Sequence, residues 1–419
     1  MPNKKRLLIF SNNPICLGNS NGRTLFGLIS NFKNFEITNL YVHDGAGLLP
    51  NISYKRISDK MVLKTILTKR ALLPIEPLEL PSKESNKKSK IGIKKSPFSL
   101  LMRGWFWSSK RFEKKFINLI KKIKPDAFLF QVGDFHSFNN LCCSVKKELG
   151  IPLIIYDTED YYFKDWNFIK GSFNKGYLFK KYKNKYNRSF EYLMSKTDRA
   201  VFLTEDLERI HKEKFPFLIT EHIYNSHIST LPKLKKQDGL ILYSGNLSVG
   251  RADSIIQIAD TIHCIDNELK LTVCSQTRDE GILKKIQANP NIEFLGNVSY
   301  DRNIELLVQS SLIIHVESFD PFYIKDSVHA FSTKVPDCLF TQNSFLVIAP
   351  KTSSVFNYFR NNQCGYCCGS LDELKEILST IIRNRFENSY KNAASSVSDK
   401  NHDPLINSNK MQRIVEEVI

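Results

Sequence analysis

The alternation of short apolar segments with helical segments constrains the fold of this 419-residue chain more than any other feature. In the first half, continuous apolar runs predict buried strands at RLLIF (6–10), EITNLYV (36–42), AFLFQV (127–132), PLIIYD (152–157) and AVFLT (200–204). Apolar residues at helical spacing lie between several of these runs, at 22–32, 138–149 and 176–196. Strands and helices that alternate in this way predict a parallel sheet with helices on both faces.

The second half repeats this pattern. Strands are predicted at LILYS (240–244), LKLTVCS (269–275), IEFLG (292–296), LIIHVES (312–318), FLVIAP (345–350) and CGYCC (364–368), with helices at 254–262 and 300–310 between them. Because a single core rarely grows beyond about 250 to 300 residues, we expect two domains. The predicted organisation is a Rossmann-like domain at 1–226, a linker at 227–239, a second Rossmann-like domain at 240–400 and a C-terminal helix at 401–419 that packs back on the first domain.

The fold class predicted from this pattern is α/β, with two doubly wound domains that face each other across a central cleft. Doubly wound sheets bind ligands beyond the carboxyl ends of their strands, so these ends are expected to carry the site. The longest apolar run near the N-terminus, Leu7 to Phe10, is too short for a signal sequence, and no run of about 18 apolar residues predicts a membrane-spanning helix. We therefore expect a cytoplasmic protein.

The nine cysteines show no regular spacing, which favours reduced thiols over a disulfide framework. The Cys364 to Cys367 pair has the spacing of half a zinc site, but no second pair follows nearby, so buried thiols are favoured and no metal is expected.

The net charge of +17 is concentrated between residues 51 and 125, which contain 20 Lys and Arg against 5 Asp and Glu. Residues 86–107 mix lysines with Phe and Trp, a composition that favours contact with an anionic membrane surface, in which Trp105 and Trp107 anchor at the interface. Residues 110–124 favour a helix with a solvated face over a core stripe of Phe112, Phe116, Ile117 and Ile120. Clustered lysines also suit nucleic acid, but no nucleic-acid motif is present.

The segment SGNLSVGR (244–251) follows the first predicted strand of the second domain and precedes its first helix. Free backbone N–H groups and the helix dipole attract anions at such a junction. Gly245 and Gly250 allow a close approach of the backbone, Asn246 is a further donor-binding candidate, and Arg251 can contact a phosphate. The alternative is a glycine-containing turn that binds nothing.

A second candidate segment is FSTKVPDC (331–338). Ser332, Thr333 and Lys334 stand at a predicted helix start, where Lys334 can neutralise a diphosphate. Asp337, one turn later, can accept hydrogen bonds from ribose hydroxyls. Alternatively, Ser332 or Thr333 only caps the helix and Asp337 faces solvent.

These segments resemble bacterial family-4-type glycosyltransferases of the GT-B fold, and in particular those that assemble capsule, O-antigen or exopolysaccharide repeat units. The resemblance rests on LYSGNLSVGR, HVESF, FSTKVPDCLF, KPDAFLFQVGD (124–134) and YDTEDYYF (156–163), and it covers nearly the whole chain in order. It implies that the second domain binds a nucleotide sugar as substrate and that the first domain binds the acceptor. It also implies retention of anomeric configuration without a metal or other cofactor, because basic side chains stabilise the leaving diphosphate.

The sequence departs from the family at two places. Members commonly carry Glu-x7-Glu, and Asp337 stands where the ribose-binding second Glu is expected, whereas the nearest upstream glutamate is Glu317, before an apparent insertion. By resemblance, Asp337 is assigned to ribose, and Glu317 is assigned to the transferred sugar and to catalysis together with Arg251 and Lys334. The usual Gly-Lys-Pro is replaced by Gln342, Asn343 and Ser344, which leaves a non-catalytic relative open.

In the first domain, the loop SNNPICLGNSNGRTLFGL (11–28) resembles the family's first loop facing the cleft. Candidate acceptor-binding residues there and at two later strand ends are Asn21, Gly22, Arg23, Asp134, Asp157, Glu159 and Asp160. Carboxylates clustered at a strand end are costly to bury without partners, so Asp157, Glu159 and Asp160 either accept hydrogen bonds from sugar hydroxyls or lie in a solvated loop. His136 is expected in a loop, and Arg23 either meets a phosphate or belongs only to a helix start.

The sequence thus predicts a glycosyltransferase on the inner face of the membrane, which transfers a sugar from a nucleotide donor to a lipid-linked or growing glycan acceptor. A non-catalytic GT-B assembly partner is the alternative from a different class. A basic nucleic-acid-binding protein is disfavoured, and no nucleic acid is expected as a partner.

Overall fold

The structure, a computed structural model, describes residues 4–17, 19–45, 47, 49–68, 96–169, 174–227, 230–277 and 279–419. The chain forms two compact units. Unit 1 comprises Met1–Tyr224 and Asn407–Ile419, and unit 2 comprises Asn225–Ile406.

Unit 1 is built on a seven-stranded sheet in which all pairings are parallel. Its strands are β1 (Lys5–Ser11), β2 (Phe35–Tyr41), β3 (Ile52–Arg56), β4 (Ala127–Gln131), β5 (Leu153–Asp157), β6 (Arg199–Phe202) and β7 (Thr220–His222). Its helices are α1 (Ser20–Ile29), α2 (Asp59–Leu67), α3 (Pro97–Trp107), α4 (Lys110–Ile123), α5 (His136–Leu149), α6 (Gly176–Lys196) and α7 (Glu205–Lys214). The order across the sheet is β3-β2-β1-β4-β5-β6-β7.

Unit 2 has a six-stranded parallel sheet in the order β10-β9-β8-β11-β12-β13. Its strands are β8 (Ile241–Ser244), β9 (Leu271–Cys274), β10 (Ile292–Gly296), β11 (Leu312–Val316), β12 (Ser344–Ile348) and β13 (Tyr366–Cys368). Helices α8 (Arg251–Ile265), α9 (Glu280–Ala288), α10 (Tyr300–Gln309), α11 (Pro321–Ser327), α12 (Val335–Phe340), α13 (Ser354–Asn362), α14 (Leu374–Arg383) and α15 (Lys391–His402) complete it. The last helix, α16 (Pro404–Glu416), contributes its residues from Asn407 onward to unit 1.

The cores form as the apolar runs predict. Every residue of β4 and β5 is buried, because helices cover both faces of a parallel sheet and leave no polar face to the strands. In unit 2, alternate residues of β8 and β11 join Ile255, Ile258 and Ile262 of α8 in one buried cluster. This burial confirms the helical spacing predicted after SGNLSVGR.

The strand orders show where the candidate segments lie in each sheet. In each sheet the chain starts at a central strand, moves to one edge and returns to the other side of that strand, so β1 lies beside β4 and β8 beside β11. Ligands of doubly wound sheets bind at this switch point, beyond the carboxyl ends of the two strands. In unit 2 the switch point is formed by the SGNLSVGR segment after β8 and by Glu317, which directly follows β11.

Candidate functional site

The loop after β8 is held in one conformation by its own polar groups. The Tyr243 hydroxyl donates to the Asn246 carbonyl oxygen at 2.7 Å, and the Asn246 side chain accepts the Ser248 N–H at 2.9 Å. Gly250 has φ +73° at the start of α8, and a Cβ there would lie 2.4 Å from Ser318 Oγ. Val249 also has a positive φ, +60°, a strained state for a β-branched residue. The loop therefore has a defined shape at the N-terminus of α8.

Arg251 and Glu317 meet at the switch point. Arg251 Nη2 lies 2.5 Å from Glu317 Oε2, and Arg251 Nε donates to the Val316 carbonyl oxygen at 3.1 Å. His315 Nε2 lies 3.2 Å from the other oxygen, Glu317 Oε1. Glu317 is only 3% exposed. Burial by itself raises the pKa of Glu317, but the adjacent His315 imidazole and the Arg251 charge outweigh it and lower the pKa, so the carboxylate stays ionised.

Lys334 brings a second cation to the end of the neighbouring strand, β8. Its Nζ donates to the carbonyl oxygen of Ser244, the last residue of β8, at 3.1 Å. Helix α12 starts at Val335 with Lys334 at the N-cap and no side-chain cap, so the interpretation that Ser332 or Thr333 caps this helix is wrong. Ser332 Oγ instead accepts the Lys334 N–H at 3.3 Å, which holds the turn that aims Lys334 at β8.

Asp337 lies in α12 and is 2% exposed, so the interpretation that it faces solvent is wrong. Its Oδ2 accepts from the Tyr300 hydroxyl at 3.4 Å. All four of these residues thus belong to unit 2. Arg251 is the first residue of α8, Glu317 directly follows β11, and Lys334 and Asp337 lie at the N-cap and in the first turn of α12. Their roles toward a donor remain predictions.

His315 was not predicted from the sequence, although a signal for it exists. His315 and Glu317 are two residues apart at the end of one strand, and such residues point to the same side of a sheet. A histidine two positions before a candidate carboxylate is therefore a candidate contact.

The three residues at the Gly-Lys-Pro position have structural contacts of their own. Gln342 takes the left-handed conformation with φ +57°, which a glycine adopts without strain. Asn343 Nδ2 donates to the carbonyl oxygens of Leu307 and Val308 at 2.7 and 3.1 Å. The Ser344 hydroxyl donates to the Phe386 carbonyl oxygen at 2.7 Å. All three positions serve the turn between α12 and β12.

In unit 1, the first loop is positioned by a helix cap and by the neighbouring strand. Asn19 caps α1 by accepting the Gly22 N–H at 2.8 Å, and Gln131 at the end of β4 donates to the Asn21 carbonyl oxygen at 3.2 Å. Arg23, in the first turn of α1, is buried. Asn21 and Gly22 therefore lie beside the switch point of this sheet.

Two of the three carboxylates at the end of β5 are buried. Asp157 is 1% exposed and lies 3.5 Å from His211 Nε2 through Oδ2, while its Oδ1 accepts the Glu159 N–H at 3.2 Å. Burial raises the pKa of Asp157 to about 8. Asp160 is also buried and pairs with Lys164 at 3.2 Å. The solvated-loop alternative is wrong for these two residues, whereas Glu159 is half-buried.

Asp134 and His136 lie beyond β4. Asp134 is half-buried, and its backbone carbonyl oxygen accepts from the Tyr182 hydroxyl. His136 is the first residue of α5 and is buried, so the expectation of a loop histidine is wrong. Burial lowers its pKa to about 4.

The basic aromatic stretch divides into three parts. Residues 86–95 lie outside the described residues. Trp107 is fully buried and donates through Nε1 to Asp59 at 2.7 Å, so its predicted role as an interfacial anchor is wrong, whereas Trp105 is 72% exposed. In α4, Phe112, Phe116, Ile117 and Ile120 are buried, which confirms the predicted core stripe. In the described part of the chain, no helix has the length and hydropathy needed to cross a membrane.

The cysteine-rich strand is part of a sheet edge. Cys364 and Cys368 are buried, and burial raises the pKa of Cys364 to about 12 and that of Cys368 to about 11. Within the described ranges, no three His, Cys, Asp or Glu residues are grouped as metal ligands would be.

Comparison with known proteins bears on the fold. No protein-family model and no curated protein matches the sequence. HepE from Anabaena in complex with UDP is 11% identical, with a TM-score of 0.64 over 99% of this chain and 100% of that one. Sucrose-phosphate synthase from Thermosynechococcus elongatus is 8% identical, with a TM-score of 0.65 over 99% of this chain and 98% of that one. The predicted α/β fold of the GT-B class is thereby confirmed.

A third likeness, to a Staphylococcus aureus TarM mutant, is weaker. The identity is 12% and the TM-score 0.48, and the alignment covers 72% of this chain and 59% of TarM. A likeness of this size supports no conclusion about the present chain.

Proposed function

We propose that this protein is a glycosyltransferase that transfers a sugar from a nucleotide-sugar donor. The observation that carries the proposal is that Arg251 and Lys334 contact the carboxyl ends of the neighbouring strands β11 and β8, beside the N-terminus of α8 and the buried carboxylate of Glu317. Two cations and a helix N-terminus suit the diphosphate of a nucleotide sugar. HepE, a structure of similar fold, has been solved with UDP-glucose.

In the proposed reaction, Arg251 and Lys334 stabilise the negative charge that develops on the leaving diphosphate. Fixed charges that are aimed at the position of developing charge lower the barrier without reorganising during the reaction. Asp337 accepts hydrogen bonds from the ribose, and Glu317 contacts the transferred sugar. In this scheme the basic side chains take the role of a metal, and the anomeric configuration is retained.

The acceptor side of the proposal is placed in unit 1. The candidates lie beyond the carboxyl ends of its central strands, where Asn21, Gly22, Arg23 and Asp134 follow β1 and β4. We assign to this region a lipid-linked or growing glycan of bacterial surface polysaccharide synthesis. A lipid-linked acceptor requires work at the inner face of the membrane, which residues 86–107 are proposed to contact.

The test is donor binding and turnover in purified variants. Saturation-transfer NMR with a panel of nucleotide sugars identifies the donor first. Arg251→Ala and Lys334→Ala should then each lower turnover by about 30- to 1000-fold, because losing one charge-assisted contact to the transition state costs about 2 to 4 kcal/mol. Lys285→Ala is the control, since Lys285 is an exposed lysine of unit 2 that pairs with Asp253. Wild-type turnover in both variants would refute the donor-site assignment.

A further inference from the structure

Helix α3 is apolar on its outer side as well as its inner side. Its sequence, PFSLLMRGWFW, contains one charged residue, Arg103. Leu100, Gly104 and Trp107 face the core. On the opposite side, Phe98 is 59% exposed, Met102 47% and Trp105 72%. These three share one stripe of the helix, because they follow the spacing i, i+4 and i+7. A helix that is hydrophobic all round is normally covered on both sides.

The neighbouring helices extend this apolar surface. Helix α3 packs against α2 and α6. Leu63 and Leu67 of α2 and Tyr177 and Leu178 of α6 are exposed. With Tyr192, farther along α6, eight of the fifteen large apolar side chains that are exposed in the described part of the chain lie on these three helices. Scattered exposed apolar residues are ordinary, but a group of this kind marks an interaction surface.

The same three helices are strongly cationic. Together they contain nine Lys and Arg residues against two acidic residues, Asp59 and Glu191. Asp59 is engaged by Arg103 and Trp107, and Glu191 accepts from the Tyr162 hydroxyl. Exposed lysines on α2 and on the first half of α6 flank the apolar stripe, namely Lys60, Lys64, Lys180, Lys181 and Lys185.

We infer that the outer sides of α2, α3 and the first half of α6 form a docking face for an anionic phospholipid bilayer. Aromatic and aliphatic side chains between lysines suit the boundary between headgroups and acyl chains, where the rings insert and the lysines meet lipid phosphates. A protein partner fits less well, because protein interfaces are depleted in lysine. The inference deepens the proposed function by naming the surface that meets a membrane-borne acceptor, and its test requires no sugar transfer.

Tryptophan fluorescence provides the first test on the full chain. The protein has three tryptophans, of which Trp107 and Trp166 are buried, so only Trp105 is placed to report contact with a surface. Vesicles of phosphatidylglycerol and phosphatidylcholine should shift the emission to shorter wavelength, and phosphatidylcholine alone should not. Trp105→Phe should abolish the shift while vesicle flotation persists. A shift that persists in Trp105→Phe would overturn the inference.

Vesicle flotation provides the second test. The triple variant Phe98→Ser, Met102→Ser, Trp105→Ser should bind anionic vesicles at least about tenfold more weakly, since burying even one large apolar side chain is worth about tenfold or more. The matched control is Phe217→Ser with Ile219→Ser, two exposed apolar residues of unit 1 outside the three helices. Lys180→Gln with Lys181→Gln should weaken binding at low salt and lose this effect in high salt.

Three further outcomes would refute the docking face. They are equal flotation of the triple variant and wild type, equal binding to neutral and anionic vesicles, and a wild-type dimer in light scattering that the triple variant loses. The last would identify a second copy of the chain as the occupant. Nucleotide binding by the triple variant, measured in parallel, separates a failure of this inference from a failure of the proposed donor site, because all substituted residues lie in unit 1.

Discussion

Replacing Asp157 by Asn should change how the stability of unit 1 depends on pH. The carboxyl group ends β5, is buried beside His211 and has its pKa raised from 3.8 to about 8 by burial. In the folded state it therefore binds a proton that the unfolded chain releases near pH 4. Asn has the shape of the protonated acid, keeps an oxygen for the Glu159 N–H and offers an N–H toward His211 Nε2.

The sign and size of the effect follow from proton linkage. The folded state holds the proton on Asp157 between about pH 4 and 8. The contribution of this group to the free energy of unfolding is therefore complete below its pKa in the unfolded chain, and it is lost as the pH rises toward its pKa in the folded state. Each pH unit in this window changes the free energy of unfolding by about 1.4 kcal/mol. From pH 5 to pH 7 the free energy of unfolding should therefore fall by about 2 to 3 kcal/mol more in the wild type than in the Asn variant.

Urea unfolding, monitored by tryptophan fluorescence, measures this difference in unit 1. Trp105, Trp107 and Trp166 all belong to unit 1, so the signal reports its unfolding. Other groups titrate equally in both proteins, so the difference between variant and wild type isolates Asp157. The difference should grow with pH in favour of the variant. A difference that stays constant from pH 5 to 7 would show that the carboxyl is already ionised when folded, and the reasoning from burial would fail.

Two further predictions concern unit 2. Asp337→Ala should weaken nucleotide binding in calorimetry more than it lowers turnover at saturating donor, because a ribose contact is made in the ground state as well as in the transition state; an unchanged dissociation constant would count against this role. Gly250→Ala should destabilise unit 2, seen as faster proteolysis there, and weaken nucleotide binding, since its Cβ would lie 2.4 Å from Ser318 Oγ at φ +73°. Gly296→Ala, at φ +70° with nothing within 4 Å, is the matched control, and equal effects of the two would exclude the close approach as the cause.

All strands of unit 2 and the central strands of unit 1 were predictable from the sequence, whereas the two edge strands of unit 1 were not. Continuous apolar runs such as LLIF at the start of the chain mark strands that are covered on both faces. Strand β3, ISYKR, is exposed along part of its length and mixes polar with apolar residues, and β7 has three residues. Neither β3 nor β7 carries the apolar run by which a parallel strand is recognised, because both are only partly covered.

The sequence predicted where the site residues lie at strand ends and helix starts, but it did not predict which residues contact one another. Strand ends and helix starts follow from the pattern, so Arg251, Glu317 and Lys334 were found one at a time. The pairing of Arg251 with Glu317 depends on β8 lying beside β11, which is a property of strand order and not of either segment. The contact between Asp157 and His211 depends likewise on α7, which brings His211 from a later part of the chain.

The departure from Gly-Lys-Pro has a physical explanation that does not involve the donor. Helices commonly end with a residue in the left-handed conformation, and Gln342 adopts it just after α12, where the glycosyltransferases that the sequence resembles carry glycine. Asn343 and Ser344 then satisfy backbone carbonyl groups at Leu307, Val308 and Phe386, and the Asn388 side chain donates back to the carbonyl oxygens of Gln342 and Asn343 at 2.9 and 3.0 Å. The turn is thus built from different residues and is held by their hydrogen bonds. Its altered sequence is therefore weak evidence for a non-catalytic protein, and the decision between transferase and assembly partner rests on Arg251, Glu317 and Lys334.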